Sequence, residues 1–188
     1  EAAIFAAKNG RKFIVQADIE RSFIKVGIGA EKKSKVISDK EKKITAYHEA
    51  GHAILFHVLP DVGPVHTISI IPTGMGAAGY TMPLPEKDEM FNTKGKMLQQ
   101  IVVGLGGRVA EKIFRKVYTS GASADLRSTT REANYIVSKL AMVSEDCPNR
   151  IYLNECDSPN YSEKVIDAIN EEVDKLVKKA EDRATQIL

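Results

Sequence analysis

Apolar side chains along this chain recur mostly every three or four residues, which is the spacing of one face of an α-helix. The Asn-Gly pair at 9–10 ends a first short helix, and Asp18 is expected to cap a second. Ser38 and Glu41 form a capping-box pattern, so a third helix is predicted to begin there and to end at Pro60. Further helices are predicted over residues 93–114, from about Ser123 onward, and over residues 161–188.

One region has a different period. The stretch "VHTISIIP", residues 65–72, alternates in polarity and is rich in β-branched side chains, as a strand would be. The stretch "AGYTMPLP", residues 78–85, follows a glycine-containing turn and carries prolines near its end. The two stretches predict a short hairpin beside the third helix. The expected fold class is therefore mainly α with a small β-hairpin.

The predicted helix 93–114 contains three glycines, Gly104, Gly106 and Gly107. Each glycine costs a helix about 1 kcal/mol relative to alanine, so tertiary packing must compensate. Small residues allow two backbones to approach closely, and Gly51 in the third helix is the obvious counterpart. We therefore expect these two helices to cross tightly.

The closing helix is strongly amphipathic. Such a stripe usually faces the core of its own domain, so internal packing is favoured over a role in oligomer contacts. The residues on its predicted apolar face are Val165, Ile166, Ile169, Val173, Leu176, Val177 and Ala180.

The composition excludes only a few classes of protein and partner. A length of 188 residues supports one good core, and a net charge of +2 gives no reason to expect a nucleic-acid partner. No apolar run is long enough to cross a bilayer, so the piece itself is expected to be soluble, and its first residues suggest that it is part of a longer protein. For Cys147 and Cys156, two free thiols in a reducing compartment are favoured over a local disulfide.

The clearest chemical motif lies in "TAYHEAGHAILFHVL", residues 45–59. His48 and His52 are four residues apart, so both imidazoles point from the same helix face and can reach one ion. Zinc binds neutral imidazole, and catalytic sites use three protein ligands so that a position remains for water. Glu49 lies on the adjacent flank, where it can act on that water as a general base without binding the metal. A core helix with two chance histidines is the weaker interpretation, because buried histidines need partners.

The third ligand is not fixed by spacing. His57 is off the ligand face and His66 lies in the predicted strand, so neither is expected to bind the metal. Asp125 stands out because it begins a helix after the glycine-containing "TSGAS" in a segment otherwise poor in acids. A first-turn aspartate that only complements the helix dipole is an equally good explanation at this point.

Three motifs together resemble one family. "AYHEAGHA", "GLGGRVAEKIF" and "TSGASADL", in this order and separation, closely resemble the peptidase domain of FtsH-type proteases, which are membrane-anchored, ATP-dependent AAA+ zinc metalloproteases. The resemblance covers essentially the whole chain and implies a zincin-like helical peptidase domain over residues 44–188. It further implies that residues 1–30 are the last part of the AAA+ helical lid and residues 31–43 a linker.

The resemblance also assigns roles to residues. It implies that His48, His52 and Asp125 are the zinc ligands and that Glu49 is the catalytic base. Ala124 stands where the family usually has asparagine, and the segment 145–160 departs from the family pattern. By the same resemblance, the strand containing Gly79, Tyr80, Thr81 and Met82 flanks the active-site cleft and pairs with the substrate backbone.

The expected function is that of a zinc-dependent endopeptidase module within an ATP-dependent protease that degrades unfolded or membrane proteins. In it, zinc-bound water attacks the peptide carbonyl and Glu49 is the general base. The resemblance implies a homo-oligomer, a hexamer in the family, anchored in a bacterial inner membrane or an organelle membrane, with ATP and Mg²⁺ used only by the full-length protein. The alternatives are a stand-alone zinc peptidase and a catalytically silent scaffold of the same fold; the intact Glu49 argues against the scaffold.

Overall fold

A computed structural model describes residues 1–74, 76–84, 90–145, 147, 152–153 and 161–188. The described part is mainly helical with one two-stranded antiparallel sheet, which confirms the predicted fold class. Its elements are α1 (Ala2–Lys8), α2 (Gln16–Gly27), α3 (Asp39–Val58), β1 (Val65–Ser69), β2 (Tyr80–Pro83), α4 (Lys94–Gly104), α5 (Gly106–Ala110), α6 (Ser123–Ser138) and α7 (Glu163–Ile187). A π-helical turn, Glu111–Arg115, continues α5, and a 3-10 turn, Ser120–Ala122, leads into α6.

Helix α3 begins where its capping residues predict. The Ser38 hydroxyl oxygen accepts a hydrogen bond from the Glu41 N–H at 3.2 Å, and the hydroxyl donates to the Glu41 carboxylate at 3.0 Å. At the other end Leu59 adopts an extended conformation before Pro60. The 20-residue helix carries the histidine motif in its middle, away from fraying ends.

The prediction that Asp18 caps α2 is wrong in position. The helix begins at Gln16, so Asp18 is its third residue. The buried Asp18 carboxylate still accepts a hydrogen bond from the Val15 N–H at 3.1 Å, and Arg11 donates two more to it at 2.6 Å each. The carboxylate thus satisfies the start of the helix from within its first turn.

The predicted hairpin is present. Ser69 pairs with Tyr80 and Ile68 with Thr81, and the register shifts at a bulge between Val65 and Thr67. Backbone bonds also tie the segment before α3 to the connection between the strands: the Lys32 N–H donates to the Pro72 carbonyl at 2.7 Å, and the Gly74 N–H donates to the Ala30 carbonyl at 2.8 Å.

The predicted continuous helix over 93–114 is interrupted. Leu105, with a ψ of −6°, separates α4 from α5, and the chain then widens into the π-helical turn. The predicted tight crossing is confirmed: a Cβ on Gly51 would lie 2.4 Å from the Gly106 carbonyl oxygen, and a Cβ on Gly106 would lie 2.8 Å from Cδ1 of Leu55. Only glycine fits at these two positions because the backbones themselves are in contact.

The core lies between α3, α4, α5, α6 and α7. Helix α7 buries most of its predicted apolar face there, which confirms internal packing, although Ile166 remains 40% exposed. The core includes Leu55, Ile101, Leu105, Val109, Ala133, Ile136, Val137, Ile169, Val173, Leu176, Ala180 and Ala184.

Two predictions fall wholly or partly outside the described residues. The irregular segment predicted over 145–161 is described only at residues 145, 147, 152–153 and 161, and Cys156 is not among them. Cys147 is buried.

Within the described helices, none combines the length and the apolar character that a membrane crossing would require.

Candidate metal centre

The site is built where α3 meets the first turn of α6. His48 and His52 are one turn apart on α3, and their Nε2 atoms are 3.2 Å from each other. Asp125, the third residue of α6, places its Oδ2 atom 3.0 Å from Nε2 of His48 and 3.5 Å from Nε2 of His52. The structure therefore brings all three predicted ligands together, with one possible ligand atom from each within 4.8 Å of the others.

The far side of each ring is held by an acceptor. Nδ1 of His48 is 2.8 Å from Oε1 of Glu111, and Nδ1 of His52 is 2.7 Å from the Val103 carbonyl oxygen. A carboxylate and a carbonyl can only accept, so each Nδ1 is the protonated nitrogen and donates. In the neutral imidazoles both Nε2 lone pairs then face Asp125. Outer hydrogen bonds of this kind orient histidines that bind metals.

Sequence analysis gave no role to Glu111, yet this residue contacts His48 directly. Its carboxylate is 1% exposed and accepts hydrogen bonds from the Thr119 N–H at 2.8 Å and the Thr119 hydroxyl at 3.0 Å. The available signal was a single acid in the glycine-rich stretch "GLGGRVAEKIF", residues 104–114. The acid lies 63 residues from His48, so only the crossing of α3 with α5 brings them together.

The electrostatics around His48 are those of a cation site. Burial lowers the pKa of His48, but the carboxylates of Asp125 and Glu111 outweigh burial and raise this pKa to about 9. Burial likewise raises the pKa of Asp125, but contacts with His48 and His52 outweigh it and bring the value down to about 2. The surroundings therefore stabilise a positive charge between the rings and the Asp125 carboxylate.

The donor set fits zinc. Oδ2 of Asp125 is buried and has no hydrogen-bond partner among the described residues, although it lies close to both Nε2 atoms. A buried, unsatisfied carboxylate oxygen is costly unless something bonds to it. Two imidazole nitrogens and one carboxylate oxygen are a ligand set that catalytic zinc takes, leaving a fourth position for water or substrate.

Glu49 lies beside this group with its side chain buried, at 6% exposure. Its Oε2 atom accepts a hydrogen bond from the Thr81 hydroxyl of β2 at 2.8 Å, and that hydroxyl is also 3.1 Å from the Glu49 carbonyl oxygen. Burial raises the pKa of Glu49, and the Thr81 hydrogen bond partly opposes the rise. A carboxylate with a raised pKa is better suited to accept and return a proton.

A large cleft runs past the site. It has a volume of about 2180 Å³ and is lined by α3, both strands, α4 and the start of α6, including Glu49 and Asp125. Gly79, Tyr80 and Thr81 of the predicted substrate strand all lie on its wall. Neither His57 nor His66 belongs to the metal group of the described residues, as expected.

Comparisons with known proteins agree with this geometry. The chain is 41% identical to the ATP-dependent zinc metalloprotease FtsH of Veillonella parvula, 43% identical to that of Pseudothermotoga lettingae and 42% identical to that of Thermotoga maritima. Each match covers 100% of this chain but only 30–32% of the relative. The chain thus spans about a third of the length of these relatives.

The family assignment follows from the match and the site together. The sequence model of peptidase family M41 matches residues 35–188. This part of the chain carries α3, both strands and the metal group. The predicted family, the metallopeptidase class and zinc as the cofactor are confirmed by the match, the relatives and the metal group. With two imidazoles and a carboxylate converging beside a buried glutamate, and with this match over most of its length, the chain belongs to peptidase family M41.

Proposed function

We propose that this chain is the endopeptidase module of an ATP-dependent zinc protease, with His48, His52 and Asp125 as the zinc ligands. The observation that carries the proposal is the convergence of their Nε2 and Oδ2 atoms from two different helices. Two imidazole nitrogens and one carboxylate oxygen, each within 4.8 Å of the others, form the donor set that a catalytic zinc takes.

Each residue of the proposed site then has a definite role. Bound zinc supplies a Lewis acid that activates water and polarises a peptide carbonyl. Glu49 accepts the proton of the attacking water and returns it to the leaving amine, so it is the catalytic base and then the acid. Glu111 and the Val103 carbonyl hold the two imidazoles in the tautomer that presents Nε2.

The proposed substrate platform is β2 with the residue before it, through Gly79, Tyr80, Thr81 and Met82. Its pairing with β1 leaves the other edge without a strand partner in the described part of the chain. An extended substrate can add to such an edge through backbone hydrogen bonds, which suits a peptidase that accepts many sequences. The wall of the cleft formed by Gly79 and Thr81 supports this placement.

The remaining expectations concern a larger protein. We propose that residues 1–30 belong to an AAA+ lid, residues 31–43 to a linker and residues 44–188 to the peptidase domain; residues 39–43 of that linker are already the first turn of α3. Unfolded or membrane proteins as substrates, a hexameric ring, a membrane anchor and the use of ATP and Mg²⁺ are proposed for the full-length protein. The relatives are named ATP-dependent zinc metalloproteases, which supports the use of ATP, and their greater length supports a longer protein. The other proposals rest on the family resemblance.

The test combines metal content with turnover. Glu49→Gln is expected to retain about one zinc per chain while peptide cleavage falls by about 10²- to 10⁴-fold, the usual contribution of a general base. Elemental mass spectrometry gives the zinc content and a quenched fluorescent peptide gives the rate. Near wild-type cleavage by Glu49→Gln would disprove the assignment of the base. A wild-type chain that binds zinc but cleaves nothing would favour the silent scaffold.

A further inference from the structure

The side chain of Thr81 forms a hydrogen bond with the proposed catalytic base. Its hydroxyl lies 2.8 Å from Oε2 of Glu49 and 3.1 Å from the Glu49 carbonyl oxygen. A hydroxyl has one proton to donate, and a charged carboxylate oxygen at the shorter distance is the stronger acceptor. The hydrogen bond therefore acts chiefly on the side chain of Glu49.

The strand geometry makes this contact specific to one face of β2. Successive side chains of a strand point to opposite faces, so Thr81 is directed towards α3 while Tyr80 is directed away from Glu49. Tyr80 instead contacts Ser69 and Glu31, and burial raises its pKa. The contact with the base thus depends on the register in which Thr81 lies opposite Ile68.

The neighbouring glycine completes the surroundings of Glu49. A Cβ on Gly79 would lie 2.9 Å from Oε1 of Glu49 and 2.7 Å from the Ser69 carbonyl oxygen. Gly79 and Thr81 are two residues apart and therefore face the same side of the strand. Gly79, the residue before β2, leaves space beside Oε1, and Thr81 holds Oε2, so these two residues together determine where the carboxylate oxygens lie.

We propose that Thr81 is a positioning residue for the peptidase reaction, whose hydroxyl fixes the orientation of the Glu49 carboxylate through the hydrogen bond to Oε2. The inference rests on the proposed function of Glu49 as the base and adds a role for a side chain of the substrate strand. A carboxylate on a free side chain would rotate and would align with the water only part of the time. Thr81 removes this freedom before substrate arrives.

A competing explanation gives Thr81 a structural role only. Its second contact, to the Glu49 carbonyl oxygen, could simply fasten β2 to α3. This explanation predicts a loss of stability with no change in turnover, whereas positioning predicts a loss of turnover with the metal retained. Substrate binding through the side chain would instead change KM. The three roles are therefore separable by kinetics, metal content and thermal unfolding.

The decisive variant is Thr81→Val, which keeps the β-branched shape and removes the hydroxyl. We expect kcat to fall about 10- to 100-fold, the value of a hydrogen bond to a charged group, with KM within about twofold of wild type. Zinc content stays at about one per chain, because Thr81 contacts none of the three ligands. Thr81→Ser restores the hydroxyl, and its kcat is expected to lie within about threefold of wild type.

The matched control is Thr185→Val in α7, where the hydroxyl donates only to the Glu181 carbonyl oxygen of the same helix. It removes a threonine hydroxyl far from the cleft and is expected to leave kcat and KM unchanged. The assay uses this chain with a quenched fluorescent peptide, and zinc and the unfolding temperature are measured on every variant.

Three results would overturn the inference. These are a Thr81→Val kcat within twofold of wild type, a loss confined to KM, and a Thr81→Ser variant as impaired as Thr81→Val. If Thr81→Val does not fold, Thr81→Ser and Thr81→Ala decide, because positioning requires their kcat values to differ by at least tenfold at equal zinc content. A wild-type chain without zinc-dependent cleavage would instead contradict the proposed function itself, so the two failures are distinguishable.

Discussion

The two sides of the candidate active site are held in place by different means. On the helix side, formed by α3, α5 and α6, His48 is fixed by a buried carboxylate and by backbones in contact at Gly51 and Gly106. On the strand side, formed by β1 and β2, Glu49 is fixed by one hydroxyl from a two-stranded sheet. Many contacts act together on the helix side, and few act on the strand side.

The difference suggests a division of labour. A displaced ligand binds its metal less tightly, so the proposed metal ligands need a rigid, close-packed frame. A substrate must enter and leave beside the base, so the strand side cannot be packed as densely. Changes on the helix side should therefore appear first as lost zinc, and changes on the strand side as lost turnover with zinc retained.

The largest effect is expected from the proposed zinc ligands. Asp125→Ala should lower the zinc content from about one per chain to a small fraction, since zinc is left with two imidazoles. Cleavage should fall below detection. His57→Ala is the control, because His57 lies on the same helix but off the ligand face and outside the metal group, and it should keep both zinc and cleavage. Full zinc in Asp125→Ala would show that another residue is the third ligand.

The close packing behind His48 is the next test. A Cβ on Gly107 would lie 2.4 Å from the His48 ring, so Gly107→Ala must displace that ring. We expect a cost of about 1–3 kcal/mol in unfolding free energy and weaker zinc binding. Gly27→Ala meets nothing within 4 Å and should be neutral or stabilising by up to about 1 kcal/mol. Equal zinc affinities of both variants in a chelator competition would contradict the rigid frame.

A third test removes the negative charge of Glu111, behind His48, and keeps the shape of the Glu111 side chain. Glu111→Gln should weaken zinc binding about 10- to 100-fold, the usual effect of losing an outer carboxylate. Glu172→Gln is the matched control, because Glu172 is equally buried but bonds to Ser144 instead. Its unfolding temperature should fall while its zinc affinity does not. An unchanged affinity in Glu111→Gln would mean that the packing alone orients His48.

The smallest effect is expected on the face of β2 that is directed away from Glu49. Tyr80→Phe removes a hydroxyl that contacts Ser69 and Glu31, away from Glu49. The loss should be about 0.5–1.5 kcal/mol in unfolding free energy, with kcat changed by less than about threefold. Chemical denaturation and peptide cleavage measure the two quantities. A tenfold loss of kcat would show that the two faces of β2 are not independent.

Local sequence patterns were enough to predict those helices and strands that their own residues stabilise. The capping pair Ser38–Glu41 fixed the start of α3, and the alternation in residues 65–72 indicated β1. The predictions were less accurate where tertiary contacts compete. Leu105 interrupts the expected helix, and the two pieces pack mainly on different neighbours: α5 on α3, and α4 on α6 and α7. Asp18 lies inside its helix, where its carboxylate accepts hydrogen bonds from the Val15 N–H and from Arg11.

The sequence by itself determined the chemistry of the site. His48, Glu49 and His52 share one helix, and helical spacing alone places both imidazoles on one face. Asp125 was only one of several acids until the family resemblance selected it, since spacing along the chain does not report distances between helices.

Only the tertiary structure decided which other groups support that chemistry. Glu111 reaches His48 across the glycine crossing of α3 and α5, and Thr81 reaches Glu49 through the register of a two-stranded sheet. Both contacts join residues more than 30 positions apart, so no local pattern encodes them. The physical reason is that a helix or strand fixes its own geometry through the backbone, whereas contacts between elements depend on how their surfaces pack.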